Sequence, residues 1–296
     1  MLFLSQPYKL KSITIFMRVR YSFSSRRTRH IENIKKQRGK FPDLLEKLIA
    51  QSEIIIQVLD ARFIQETRNQ IIEKRIKENG KFLINVINKA DLADKRQIDR
   101  NLLEKLTPYL FVSCRLRQGK RNLIKFLMIT SKKIKNQNNV NVAVIGYPNT
   151  GKSSLINFLT SRASAGTGKE AGFTKGIQKI KLAKGIMLID SPGVIPREEY
   201  SSGSQELRLK LAKISVKNYS SVKDPEMVIA EIMKSYPGAL ENFYQIDSKQ
   251  DAEILIEEFG KRKRILKKHR LVDIDKTARF ILRDWQQGKI KKQQII

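Results

Sequence analysis

Residues 146–153 read Gly-Tyr-Pro-Asn-Thr-Gly-Lys-Ser. They lie between an apolar run, Val142 to Ile145, and the helical pattern SSLINFL. No other feature constrains the fold as much, because a G-x-x-x-x-G-K-S loop holds phosphates only where a buried strand delivers the chain to a helix N-terminus. Gly146 and Gly151 let backbone N–H groups turn inward around an anion, with the positive end of the helix dipole behind them. Lys152 is spaced to reach β and γ phosphates, and the Ser153 hydroxyl to hold magnesium. Asn149, Thr150 and Ser154 complete the loop residues expected at the nucleotide.

The flanking sequence agrees with that demand. Short continuous apolar runs, Ile54 to Leu59, Phe82 to Ile87, Tyr109 to Val112, Val142 to Ile145 and Ile186 to Ile189, alternate with helical stretches. Such runs suit strands buried on both faces, so a doubly wound α/β sheet is expected. The polar stretch at 131–139 reads as a link between its halves. Beyond residue 205 helical signals dominate. Asp224-Pro225-Glu226 starts one helix, and Asp273 caps another whose Ala278, Ile281, Leu282 and Trp285 share a face that Gly288 ends. The expected organisation is a basic arm at 1–40, the sheet domain at 41–205 and a helical domain at 206–296. There is no internal repeat of note.

Two further motifs decide the ligand. Asp190-Ser191-Pro192-Gly193 closes the run IMLI, where Asp190 can hold the magnesium shell and the Gly193 N–H can approach a γ phosphate. Asn88-Lys89-Ala90-Asp91 follows KFLINVI. Guanine offers a ring N–H and an amino group on one edge, and the Asp91 carboxylate can accept from both, which adenine cannot match. The Lys89 stem can cover the ring face, and Asn88 can tie its loop to the phosphate loop. This motif lies 58 residues before Gly146, whereas ordinary GTPases carry it after the phosphate loop. Ser248-Lys249-Gln250-Asp251 occupies the ordinary place with a similar K-x-D core, but it opens the helical stretch DAEILIEEF and is read as a decoy.

Composition indicates the partner. The 296 residues include 59 Lys or Arg against 29 Asp or Glu, a formal charge of +30, and a self-repelling charge of this size calls for a polyanion. Nine of the basic residues fall in 17–40 and seven in 261–270. No apolar stretch reaches membrane-spanning length, so nucleic acid is favoured over a membrane. Residues 1–16 read as an upstream translation extension, with Met17 opening the Arg-rich segment. One cysteine, Cys114, excludes an internal disulfide and a multi-Cys zinc module, and the expected setting is a reducing cytoplasm.

The order of motifs, base motif, then Ser113-Cys114-Arg115 after a strand, then phosphate loop, then DSPG, resembles the circularly permuted ribosome-assembly GTPases typified by YlqF/RbgA. Asp60-Ala61-Arg62, ETRN at 66–69 and the tail from Asp273 through ILRDWQQGKI add to the likeness, which spans about residues 24–291. Permutation leaves a sheet held by pairing and packing intact where surface loops allow another connection. The resemblance implies a P-loop GTPase sheet, circularly permuted, with GTP or GDP and Mg²⁺ as ligands. It implies a Cys114 backbone N–H on the guanine carbonyl and Thr174 as the switch threonine completing the metal shell. With Lys152 and Gly193, Thr174 would form the catalytic set. Residues 162–176 have the Gly, Lys and Thr content of a switch or of a plain flexible loop. Asn149 matches the asparagine that coordinates K⁺ in potassium-activated relatives, or it braces the loop. Val194 stands where many GTPases carry the water-orienting glutamine, which implies slow intrinsic hydrolysis. His30 and His269 are expected as RNA-facing or solvated side chains. The implied partners are rRNA and the large-subunit precursor, with the free protein a monomer. A small-subunit assembly GTPase and an RNA-binding scaffold with a vestigial site remain as alternatives.

Overall fold

A computed structural model describes residues 41–134, 139–160, 178–190 and 205–290. The arm at 17–40 with His30, the switch stretch with Thr174, and Gly193 with Val194 lie outside the described residues. From Asp43 on, the described residues belong to one compact unit.

Helix α1 (Phe41–Gln51) leads into β1 (Ile54–Asp60). A short α2 (Ile64–Thr67), α3 (Gln70–Glu78) and β2 (Phe82–Asn88) follow. Then come α4 (Arg100–Lys105), β3 (Tyr109–Phe111), α5 (Lys120–Lys133) and β4 (Val140–Ile145). The phosphate-loop sequence connects β4 to α6 (Lys152–Thr160), and β5 (Gln178–Ala183) and β6 (Ile186–Asp190) complete the sheet. Its order is β3-β2-β1-β4-β6-β5, parallel except for the antiparallel β5–β6 pair.

The doubly wound sheet expected from the sequence is therefore present, and its winding locates the site. From β1 the chain runs outward through β2 and β3, then returns to lay β4 on the other side of β1. That reversal opens a crevice beyond the carboxyl ends of β1 and β4, where open α/β sheets bind ligands. Every residue of β1 is buried. Ile54, Ile56 and Val58 pack with Leu123 and Leu127 of α5 and Leu155 and Leu159 of α6. Leu59 points the other way and packs with Ile64, Ile87 and Leu106, as strand alternation requires.

Two expectations are corrected. β5 was not foreseen: QKIKLA alternates lysine with apolar residues, as suits an edge strand with one wet face rather than a doubly buried one. The link placed at 131–139 begins later, because α5 continues through Lys133.

The remaining described chain is helical: α7 (Gln205–Lys213), α8 (Pro225–Ser235), α9 (Ala239–Tyr244), α10 (Ala252–Arg262) and α11 (Ile274–Gln286). Pro225 sits in the first turn of α8, and the Asp273 side chain accepts from Lys276 N at the start of α11. Ala278, Ile281, Leu282 and Trp285 turn a single buried face toward Ile229, Ile232, Leu255 and Phe259. Phe63, from the segment after β1, inserts into this helical core beside Trp285, with 6.2 Å between ring centroids. Among the described residues no helix is long and apolar enough to cross a membrane.

Phe63→Ala would empty a fully buried ring site and is expected to cost about 3–5 kcal/mol of stability in urea unfolding. A loss below about 1 kcal/mol would contradict the packing assigned to it.

Candidate functional site

The loop after β4 and the loop after β2 meet at the crevice. Asn88 ends β2, buried, and its Nδ2 donates to Thr150 O at 2.9 Å. Gly151 makes this contact possible. Its φ is +100°, and a Cβ there would collide with Asn88 Nδ2. The glycine thus serves both the turn of its own loop and the approach of the neighbouring one. Within the loop, Lys152 Nζ and Thr150 Oγ1 both donate to Tyr147 O, at 2.9 Å each. Lys152 is buried while Ser153 and Ser154 are exposed at the start of α6.

The base-reading side is equally organised. Lys89 takes a left-handed conformation, φ 57°, which lets the chain reverse into the 3₁₀ turn Ala90–Leu92. Ser113 Oγ donates to Asp91 Oδ1 at 2.6 Å and accepts from Leu116 N at 3.0 Å, so the carboxylate that would read guanine is held in one orientation. Cys114 N donates to Asn88 Oδ1 at 3.4 Å, which puts this N–H at the junction of the three loops. Burial, aided by the Asp91 charge, pushes the Cys114 thiol up to about 11, so it stays protonated at neutral pH.

Asn149, φ 61°, stands at the outer side of the phosphate loop, where its Nδ2 donates to Ser215 O at 2.6 Å. This is a brace from the loop to the segment after α7. The decoy Ser248 to Asp251 is a helix-capping turn. Asp251 accepts from Glu253 N and Ile254 N at the start of α10, and Ser248 Oγ donates to Glu241 Oε1 at 2.7 Å. An open cleft of about 1600 Å³ borders Asp91 and Leu92 and runs along Tyr236, Gly238 and Asp247, but none of residues 146–153 lines it. It is the space outside the base loop and not the phosphate cradle.

For a magnesium ion the residues present are suitable. Asp190 ends β6 in register with Val144 of β4, two residues before the loop, and Ser153 opens α6 on the other side of it. A carboxylate and a hydroxyl are hard oxygen donors, and Mg²⁺ typically takes one or two such ligands together with substrate phosphates. Thr174 and Gly193 lie outside the described residues.

Sequence reasoning gave no role to two residues of this site. Asp60, buried at the end of β1, receives Lys89 Nζ on Oδ2 at 2.7 Å. Arg62 meets the same carboxylate with Nε on Oδ1 at 3.0 Å and Nη2 on Oδ2 at 2.8 Å. The D-A-R string signalled them, but not their partners. Burial alone would push Asp60 up; the Lys89 ammonium and the Arg62 guanidinium overcome it and hold the carboxyl at about 2. Its contribution to stability is therefore complete above the ordinary value of 3.8 and fades as pH falls toward about 2. In acid titrations of thermal unfolding, Asp60→Asn should flatten the loss between those two pH values relative to the natural chain. Parallel curves would contradict the pairing.

The sequence model of the family described as 50S ribosome-binding GTPase matches residues 141–268, a stretch that starts on β4 and leaves the base motif at 88–91 before it. An uncharacterised GTP-binding protein of Methanocaldococcus jannaschii is 33% identical over 252 residues, covering 83% of this chain and 65% of its own. Nuclear/nucleolar GTPase 2 of Oryza sativa is 32% identical over 269 residues, covering 88% of this chain and 49% of its own. The chain thus spans between about half and two thirds of these curated relatives. The crystal structure of GNP-bound YlqF from T. maritima shares the fold, with a TM-score of 0.62, 22% identity and coverage of 86% of this chain and 98% of that one. The cytoplasmic setting inferred from the single cysteine is corrected by these names, since the rice relative is nuclear or nucleolar. A low cysteine count does not distinguish nucleus from cytoplasm, because both are reducing. With its base motif ahead of its phosphate loop and both joined at one crevice, the chain carries a GTPase domain of the kind the family model describes and has the fold of YlqF.

Proposed function

We propose that this protein binds and hydrolyses GTP and assists assembly of the large ribosomal subunit. The observation that carries the reading is the hydrogen bond from Asn88 to Thr150 O, 2.9 Å. It joins the guanine-reading and phosphate-holding loops across the switch point although the chain presents them in inverted order.

In this reading Asp91, set by Ser113, accepts from the guanine edge, while Lys152 and the backbone N–H groups of Gly151 to Ser154 neutralise and orient the phosphates. Ser153, Asp190 and Thr174 would hold Mg²⁺, which when bound would supply charge neutralisation for the phosphates. Val194 cannot orient an attacking water, so hydrolysis by the free protein is slow and the particle supplies what is missing. Asn149 Nδ2 is engaged by Ser215 O, and its Oδ1 is the atom a potassium ion would use beside the phosphates.

The seven Lys and Arg of 261–270 are all exposed and, with the arm at 17–40, form the surfaces for rRNA. The family description supports a ribosomal partner; the excess positive charge supports RNA as the contact.

The test is GTP hydrolysis by the whole chain with purified large or small subunits, in potassium and in sodium buffer. Slow turnover alone, stimulation by the large subunit and faster rates in potassium are expected. Stimulation by the small subunit alone would overturn the large-subunit assignment, and equal rates in both salts would remove the potassium role. Replacing the seven basic residues of 261–270 by alanine should weaken particle binding and reduce its salt dependence; an unchanged salt slope would place the RNA contact elsewhere.

A further inference from the structure

Asp60 stands opposite Asn88 in the β1–β2 register, so it lies beside the first residue of the base motif. The Arg62 guanidinium grips both of its oxygens, and the Arg62 backbone N–H adds a third bond to Oδ1 at 3.0 Å. The carboxylate is therefore fixed by Arg62 whatever Lys89 does. Lys89, in turn, is held at both ends, by its left-handed backbone and by its ammonium on Asp60. The four methylenes between these points are thereby restrained, as a side chain that is to cover a ring face requires.

Arg62 does not stop at Asp60. Its Nη1 donates to Trp285 O at 3.2 Å and Gln286 O at 3.4 Å, carbonyls of the last turn of α11. A helix C-terminus presents unpaired carbonyls and partial negative charge, so a buried guanidinium suits it. A second contact reaches the same place. Leu92, next to Asp91, packs on Gly288 so closely that a Cβ there would lie 2.5 Å from Leu92 Cδ1, and Gly288 has φ +73°. Both sides of the base motif, Lys89 through Asp60 and Arg62, and Asp91 through Leu92, thus rest on the end of α11.

We infer that Asp60 and Arg62 are positioning residues of the guanine site, acting through Lys89, and that the C-terminal end of α11 is the wall against which that site is set. The inference rests on the guanine-nucleotide reading given above. It adds that residues nearly two hundred positions downstream of the base motif, touching no nucleotide, set nucleotide affinity. By linkage, a ligand that shifts α11 changes nucleotide affinity, and nucleotide changes that ligand's affinity equally.

The test is equilibrium binding of a fluorescent GDP analogue to the whole chain, with far-UV circular dichroism and thermal unfolding of each variant. Lys89→Met should weaken binding about tenfold and Arg62→Lys severalfold, and the double variant should bind no worse than Lys89→Met alone, because two residues acting through one contact do not add. Losses that multiply would overturn the role of Arg62. Should Arg62→Lys fail to fold, Gly288→Ala provides an arm free of buried charge. It should weaken GDP severalfold by displacing Leu92 and by straining the positive φ at 288, and Leu92→Ala should relieve the first effect and recover part of the affinity in the double variant. Unchanged affinity in Gly288→Ala, or an equal loss with Leu92→Ala present, would overturn the wall. Because no ribosomal particle is used, these outcomes are separate from those of the hydrolysis assay.

Discussion

The buried carboxylate of Asp60 is the contact on which the two halves of this molecule and its base loop depend. It lies at the end of the central strand β1, takes one cation from the base loop and one from the segment leading to the helical core. A lone buried carboxylate would be strongly disfavoured, and so would either cation without it. Together the three form one charge cluster whose members come from β1, the loop after β2 and the segment after β1. Through Arg62 the set extends to α11. Phe63 then places an apolar ring into the helical core one residue later. Charge and packing from adjacent residues thus secure the same junction.

A second brace, Asn149 to Ser215 O, ties the phosphate loop to the same helical part. The helical part is therefore anchored at the base end by α11 and at the phosphate end by the segment after α7. A nucleotide lying between these loops contacts elements that each have a bond to the helical part. That arrangement gives a physical basis for reading nucleotide occupancy at a distance, because coupling needs contacts that differ between states and a packed body to carry them.

Much of this was legible in the sequence. Doubly buried strands leave unbroken apolar runs, so β1, β2, β4 and β6 could be seen, and the phosphate and base motifs are local strings with a fixed relation to strand ends. The face of α11 was equally visible from Ala278 to Trp285. What could not be seen depends on distant partners. Nothing near Arg62 indicates that its guanidinium ends on Trp285 and Gln286, and nothing near Leu92 indicates that Gly288 faces it. Strand β5 is not visible as an apolar run, because an edge strand needs only one apolar side and its lysines interrupt the pattern.

The central claim is that guanine is read by the motif upstream of the phosphate loop, at Asp91, and not by the one downstream, at Asp251. Competition of GDP against ADP for the whole chain tests it directly, using Asp91→Asn and Asp251→Asn side by side. Asp91→Asn should lose about 100-fold or more in GDP affinity, since a site built to accept from guanine then faces it with an unmatched amide. Asp251→Asn should bind GDP as the natural chain does, with at most a small loss of helix stability. The reverse pattern would contradict the permuted site.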